Sequence, residues 1–412
     1  MLFSPKSFTS LKHRLHRRYK ARLSKILKDL KKLPGSKTGQ WLSTHANEFS
    51  NYSALHWYYL QQVEHFIFYL MNQDELSRDE SFTEIDNEIF EQWNKSEFAD
   101  VFLKLLNQGL SISVANKKAM KILDEHLIAL GNFHLLKINH PNKNYRIQPS
   151  LGDQKKQNKI TQMLGTTLHL DGKELKLMTL TMKEMKYFSH RIELALKLIK
   201  NHSATSWERF SAFTEVIIPI KQEEFVSYSH QELPGTSMIN LYDRDFVDLM
   251  DDLIHENGHH HLNYYLNLEK LIDEPLDCIY YSPWRRTLRP LRGIYHAYFT
   301  FFWAFKLFSD FIFSFEENSS IYQLSEQEKE KIIWRTLEEF LMLKFTFEDL
   351  KWARKNNLVT DAGWAIIKEQ QTYIQKFNRK IPQIEKHLKA HKKDYQNLKK
   401  TLKSASEKFS KK

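Results

Sequence analysis

One apolar run constrains the fold more than any other part of the sequence. It reads "YHAYFTFFWAFKLFSDFIFSF" and covers residues 295–315. Lys306 and Asp310 interrupt it, and aromatic residues rather than aliphatic ones dominate it. These features favour a helix buried inside a folded protein over a membrane span. We therefore expect no transmembrane segment here.

Apolar residues at three- and four-residue spacing predict helices over most of the chain. They occur in residues 41–136, in 182–200 and in nearly everything after 242. In contrast, alternating residues around Asp171-Gly172 predict a β-hairpin. Segments 212–221, 225–230 and 236–242 predict short strands, with a turn at Pro234-Gly235. The expected fold class is mostly α (α+β), with a small antiparallel sheet preceding the helix at 251–266.

The net charge of +11 resides at the two ends of the chain. Residues 1–40 hold twelve Lys/Arg against one acid, and residues 379–412 hold twelve against three. Residues 41–378 carry a net charge of −9. This distribution does not indicate a nucleic-acid-binding body, and no DNA partner is expected.

Composition and charge predict four segments. They are a basic amphipathic helical segment (1–40), a helical region (41–145), a metal-binding catalytic region (146–378) and a lysine-rich helical tail (379–412). The long loop or joint at 139–159 gathers Pro, Asn, Gly and Lys.

The N-terminal segment has an apolar stripe at helical spacing. The stripe consists of Phe8, Leu11, Leu15, Tyr19, Leu23, Ile26, Leu30 and Leu33. Its basic residues would contact an acidic peptide or a membrane surface, or they would form the solvated face of a packed helix. The second interpretation is favoured.

A single cysteine, Cys278, excludes an intrachain disulfide. A reducing compartment is the simplest expectation, so we expect a cytoplasmic protein.

Residues 251–266, "DDLIHENGHHHLNYYL", contain the pattern His-Glu-x-x-His. On a helix, His255 and His259 lie on one face about a turn apart, so both imidazoles reach one divalent metal. Glu256 lies beside them and would face the metal-bound ligand. Gly258 weakens a helix by about 1 kcal/mol relative to Ala, which is easier to explain if something approaches closely there. The arrangement expected around this helix is zincin-like.

A surface helix with solvated histidines is the alternative interpretation of this pattern. For His260 and His261 a structural role is favoured, although His260 lies four residues from Glu256 and could support the site.

A metal site needs a third protein ligand. His296 is the first choice because it lies on the apolar helix, where an unpartnered imidazole is costly to bury. Asp273, Glu274 and Asp277 are the alternatives, and His296 could also be a core histidine bonded to a carbonyl.

Four arginines, Arg285, Arg286, Arg289 and Arg292, lie within eight residues between the predicted ligands His259 and His296. Guanidinium groups in a rigid, aromatic stretch suit a carboxylate ligand. Salt bridges to the acidic body are the alternative for each of them.

The combination "LIHENGHHHLN", "YYSPWR" and "RPLRGIYHAYF", preceded by "PGTSMINLY", resembles the HExxH-motif domain of bacterial peptide-modifying proteins. These are 2-oxoglutarate-dependent peptide β-hydroxylases, and the matching motifs cover roughly residues 230–300. Ala297 departs from the family's pattern, in which a glycine commonly follows the later histidine.

The resemblance implies a non-haem Fe(II) dioxygenase that hydroxylates a β-carbon of a peptide, such as a ribosomally made precursor peptide. His255, His259 and His296 would be the metal ligands, and Arg285 and Arg289 would bind the distal carboxylate of the cosubstrate 2-oxoglutarate. Arg286 and Arg292 receive no role from it. Glu256 would support the site, and an extended peptide would add to the strand at Ser237–Tyr242.

Two other functions stay open on the residues alone. In a zinc metallopeptidase, Glu256 would be the general base, and Tyr264, Tyr280 or His296 would stabilise the oxyanion. In a non-enzymatic helical interaction protein, the basic ends would bind an acidic partner.

Overall fold

The computed structural model divides into two compact units. The large unit comprises Met1–Lys12, Asn142–Gly152 and Lys176–Lys412, and the small unit comprises His13–Pro141 and Asp153–Leu175. The structure describes residues 4–32, 36–50, 54–71, 105, 107–110, 112–134, 146–147, 169–170, 173–174, 180–221, 223, 226–229, 235–273, 279–314 and 324–409. The predicted division into four segments stays a prediction, and most of the predicted loop at 139–159 lies outside the described residues.

Helix α1 (Pro5–Leu30) begins in the large unit and continues into the small one. Its predicted stripe is buried at every described position, from Phe8 to Leu30, and Leu33 lies outside the described residues. The basic residues therefore occupy the outer face of a packed helix, as the favoured interpretation predicted. This burial accounts for the pattern without an external partner.

The rest of the small unit is helical, with one hairpin. Its helices are α2 (Lys37–Thr44), a 3-10 turn (Glu48–Ser50), α3 (Ala54–Met71) and α4 (Ile112–His134). Both α2 and α3 pack against α4. Strands β2 (His169–Leu170) and β3 (Lys173–Glu174) pair antiparallel, which confirms the predicted hairpin around Asp171-Gly172.

The large unit carries the candidate site. Its elements are β1 (Arg146–Ile147), α5 (Met182–His202), α6 (Ala204–Phe213), β4 (Val216–Ile220), β5 (Tyr228–Ser229), β6 (Thr236–Asn240), α7 (Phe246–Leu266), β7 (Tyr280–Ser282), β8 (Thr287–Arg289), α8 (Leu291–Ser314), α9 (Glu326–Lys355), α10 (Asp361–Asn378), α11 (Ile381–Glu385) and α12 (Lys392–Phe409). The fold is thus mostly helical with small sheets, as predicted.

The sheet before α7 is mixed, so the prediction of an antiparallel sheet is wrong. Its strand order is β1-β4-β6-β5, with β4 parallel to both β1 and β6, and β5 antiparallel to β6. Every residue of β4 and β6 is buried. Strands that are buried on both faces are typical of parallel pairing. The alternation of apolar and polar residues along a strand does not indicate whether its neighbours run parallel or antiparallel.

Helix α8 packs against α7 and α9 and confirms the prediction of a buried helix over residues 295–314. Trp303, Phe299 and Tyr295 on it are fully buried. Among the described helices, none is both long and apolar enough to cross a membrane. The burial of α8 fixes the position of everything carried on its N-terminal half, including His296.

Candidate functional site

Helix α7 carries the His-Glu-x-x-His pattern. It begins at the N-cap Asp245, whose carboxylate accepts a hydrogen bond from Asp248 N at 2.9 Å. The ring centroids of His255 and His259 are 5.0 Å apart, as expected for one face of a helix. His296 on α8 lies beside them, with its ring centroid 6.2 Å from that of His259. The structure therefore brings together the three predicted ligands.

Gly258 is where α8 approaches α7. A Cβ built at Gly258 would lie 3.2 Å from both Cα and Cγ2 of Thr300. This confirms the prediction that something approaches closely at Gly258, and the neighbour is a helix. Because Thr300 is one turn beyond His296, the same close contact places His296 near His259.

The three imidazoles lie deep but stay partly exposed. Burial lowers the pKa of His255 to about 4, opposed by Asp251 and assisted by Arg335 and Arg285. Burial also lowers the pKa of His296 to about 4, with a contribution from Arg292, and it holds the pKa of His259 well below the usual value. At neutral pH all three rings are uncharged, which is the form that binds a metal.

A hairpin forms one side of this site. Strands β7 and β8 pair antiparallel, and the backbone N–H of Arg286 donates to Ser282 O at 2.7 Å to close the loop. The Trp284 ring at its tip stacks on Phe301, with centroids 4.7 Å apart, and Phe301 lies 4.4 Å from the His255 ring. The sequence pattern predicted a rigid, cationic stretch here but not a hairpin.

The hairpin places Arg285 near the histidines. Arg285 is exposed, and its charge acts on His255, His259 and Glu256. The positive charge of Arg285 therefore acts on the part of α7 that carries the histidine pair.

The other arginines differ from Arg285. Arg289 lies along the N-terminal turn of α8, where a Cβ added to Gly293 would come within 3.3 Å of Arg289 Nε. Arg286 is exposed at the loop corner with a left-handed backbone, φ 52°. Arg292, which received no role from the sequence, is exposed and close enough to His296 to lower its pKa. Arg292 is thus the arginine that sequence reasoning overlooked, although its four-residue spacing from His296 was a usable signal.

Glu256 faces the sheet. Its carboxyl group is buried, with Ser229 of β5 donating a hydrogen bond to it, and burial raises its pKa to about 8. Its Oε2 atom has no hydrogen-bond partner among the described residues. The burial of this carboxyl group and its hydrogen bond to β5 fit a role in holding α7 on the sheet.

The alternative third ligands are less well supported than His296. Asp273 is exposed and pairs with Lys270, whereas Glu274 and Asp277 lie outside the described residues. His296 is therefore the best third ligand within the described part of the chain. Strand β6 has β4 on one side and β5 on the other at Ser237 and Met238, so the predicted addition of an extended peptide is wrong at these two residues. For residues 239–242 it stays a prediction.

His260 and His261 have the structural roles that were favoured for them. Gly235 N donates to Nδ1 of His260 at 3.1 Å, and Nε2 lies 3.0 Å from Ser237 Oγ, so α7 is fastened to the sheet. His261 stacks on Phe213, with centroids 4.4 Å apart, inside an aromatic cluster. Both rings are fully buried, and neither is directed to the site.

The donor set suits a divalent metal, although its geometry is not that of a formed site. Nε2 of His296 is buried and has no hydrogen-bond partner among the described residues, which is an orphaned donor or acceptor beside two further imidazoles. Imidazoles on one ion have ring centroids about 5 Å apart, so the His259–His296 distance is about 1 Å too long. Within the described ranges, no group of three His, Cys, Asp or Glu side chains is already placed to hold a metal ion, and the zincin-like arrangement is not shown.

The comparisons with known proteins leave the resemblance as a prediction. No family profile matches the chain. No curated protein matches it significantly.

Proposed function

We propose that this protein is an Fe(II)- and 2-oxoglutarate-dependent dioxygenase that hydroxylates a β-carbon of a peptide. The observation that carries the proposal is the convergence of three neutral imidazoles, His255, His259 and His296, beside the exposed Arg285. Three protein ligands leave coordination positions for a cosubstrate and O₂ on a non-haem iron. In this proposal, Arg285 binds the distal carboxylate of 2-oxoglutarate.

The overall reaction balances without another reductant. His255, His259 and His296 would hold Fe(II), and the chemistry it would supply is oxidation of 2-oxoglutarate to succinate and CO₂, with one oxygen atom of O₂ inserted into a C–H bond and the other entering succinate. The protein's own residues bind and orient 2-oxoglutarate and the peptide. The stacked rings of Trp284 and Phe301 cover the His255 side and limit water there.

In this proposal, Arg289 also binds the distal carboxylate of 2-oxoglutarate. Arg289 lies on β8, the hairpin strand that follows Arg285, and its guanidinium lies near Gly293 of α8. Arg292 is added as a cation beside His296.

The zinc metallopeptidase is less well supported. Its general base, Glu256, is buried and accepts a hydrogen bond from Ser229 of β5. Two of its three oxyanion candidates pack in the core, Tyr264 edge-on against Phe213 and Tyr280 against Trp352. The third, His296, lies beside His259. These contacts favour structural roles for Glu256, Tyr264 and Tyr280.

The test is an anaerobic difference spectrum of the full chain with Fe(II) and 2-oxoglutarate. We expect a visible charge-transfer band on addition of 2-oxoglutarate, and no band with His255→Ala. Arg285→Gln should weaken 2-oxoglutarate binding by about tenfold or more, equivalent to about 1.4 kcal/mol. Its matched control, Arg286→Gln, lies next to it on the hairpin and should bind as the wild type does.

Iron binding without a 2-oxoglutarate band would contradict the proposal. Peptide cleavage with Zn²⁺ that is abolished by Glu256→Gln would instead favour the peptidase. Equal weakening by Arg285→Gln and Arg286→Gln would reduce the role of Arg285 to a general charge effect.

A further inference from the structure

Asp251 shares a face of α7 with the two histidines. Residues 251, 255 and 259 follow one another at four-residue spacing, so Asp251 lies one turn before His255. Its side chain is nearly buried, at 8% exposure. Its charge is the largest influence on His255 after burial itself. Asp251 is thus the carboxylate that faces His255 from the same helix.

Only one oxygen of Asp251 is engaged by a described residue. Oδ2 accepts hydrogen bonds from Arg335, at 3.1 Å from Nε and at a shorter distance from Nη2. Oδ1 is buried and has no hydrogen-bond partner among the described residues. A buried carboxylate oxygen without a donor is costly, so a donor is expected in the working state of the protein.

Arg335 on α9 is itself held firmly. It pairs with Glu338 and lies 3.2 Å from Glu339, and Glu339 accepts a hydrogen bond from Trp284 Nε1 at 2.7 Å. Contacts from several directions leave Asp251 little freedom to turn. The buried carboxylate is therefore pre-positioned.

A metal-bound imidazole usually donates its second ring N–H to a carboxylate or carbonyl, which fixes the tautomer and the ring plane. We infer that Asp251, locked by Arg335, accepts the non-ligating N–H of His255 and orients that ring for metal binding. Asp251 is a positioning residue in this inference, which rests on the metal site of the proposed function. It also explains why Oδ1 faces the interior without a donor.

The experiment titrates the full chain with Co(II), whose visible absorption reports the ligand set. Asp251→Asn should lower Co(II) affinity by about 10- to 100-fold and shift the band. The matched control is Asp252→Asn, the same substitution one residue later. Asp252 faces Ser227 and Arg244 instead, so this variant should bind Co(II) as the wild type does.

A second variant keeps the test decisive if Asp251→Asn does not fold. Arg335→Lys retains the charge but loses the two-pronged contact, and it should reduce affinity to an intermediate extent. The inference would be overturned if these variants bound Co(II) with wild-type affinity and differed from the wild type only in a lower unfolding temperature. Asp251 and Arg335 would then merely link α7 to α9. Failure of the wild-type chain to bind Co(II) would overturn the metal site as well, so the two failures are distinguishable.

Discussion

The histidines of α7 show how the direction of a side chain determines its role. His255 and His259 face α8, whereas His260 faces β6 and His261 lies among aromatic rings. Adjacent helical residues differ by about 100° around the axis, so neighbours in sequence occupy different environments. This geometry made it predictable that His255 and His259 share one face. What each histidine contacts was not predictable, because the contacts come from elements far away in the sequence.

Asp252 provides a prediction at the same scale. Burial raises its pKa to about 7 from an ordinary 3.8, against the opposing effects of Arg244 and Ser227. Between these two values the folded protein holds a proton that the unfolded chain has released. Stability therefore falls as the pH rises from about 4 to about 7, and the loss is complete above that window.

We expect Asp252→Asn to remove this dependence. The unfolding free energy of the wild type relative to the variant should decrease by up to about 4 kcal/mol between pH 4 and pH 8, at about 1.4 kcal/mol per pKa unit. Urea denaturation of both chains at several pH values measures the difference. Parallel pH profiles for the two chains would show that Asp252 is charged at neutral pH in the folded protein.

At the scale of elements, the contact between α7 and α8 decides the site. The sequence predicted both helices and a close approach at Gly258, but not which element would supply it. Thr300 supplies it, and His296 is placed accordingly. The hairpin β7–β8 was missed because Pro283 and the clustered arginines obscured the strand pattern.

Gly258→Ala tests this helix contact. The new methyl group gains about 1 kcal/mol of helix propensity, while overpacking costs about 1–3 kcal/mol. Because Cα of Thr300 is among the atoms at 3.2 Å and cannot rotate away, we expect a net loss of stability of up to about 2 kcal/mol. Thermal unfolding measures it.

The double variant with Thr300→Ala serves as the control. It removes Cγ2 but leaves Cα in place, so it should recover only part of the loss. If Gly258→Ala were more stable than the wild type, α8 would be able to move away from the new methyl group without loss of packing energy.

At the scale of the whole molecule, the first residues of the chain complete the large unit. The Phe8 ring lies edge-on to His261 and to Phe213, with centroids 5.2 and 5.7 Å away, and 6.4 Å from Trp303. Residues more than 200 positions apart thus share one core. The basic character of the N-terminal segment gave no indication of this, because only the apolar stripe takes part.

Phe8→Ala should destabilise the large unit by about 3–5 kcal/mol, through lost burial and the cavity left behind. Phe8→Leu keeps most of the volume and should cost less. Denaturant unfolding followed by tryptophan fluorescence measures both variants. Equal stability of Phe8→Ala and the wild type would place Phe8 outside the core.

The sequence by itself determined the helical character of the chain, the buried stripe of α1, the buried α8 and the pairing of His255 with His259. These properties depend on local periodicity, which is written into consecutive residues. Only the tertiary structure decided the mixed direction of the sheet, the orientation of Glu256 toward Ser229 and the pairing of Asp251 with Arg335. Each of these depends on which distant elements pack together, and that selection follows from the burial of whole helix faces rather than from any local pattern.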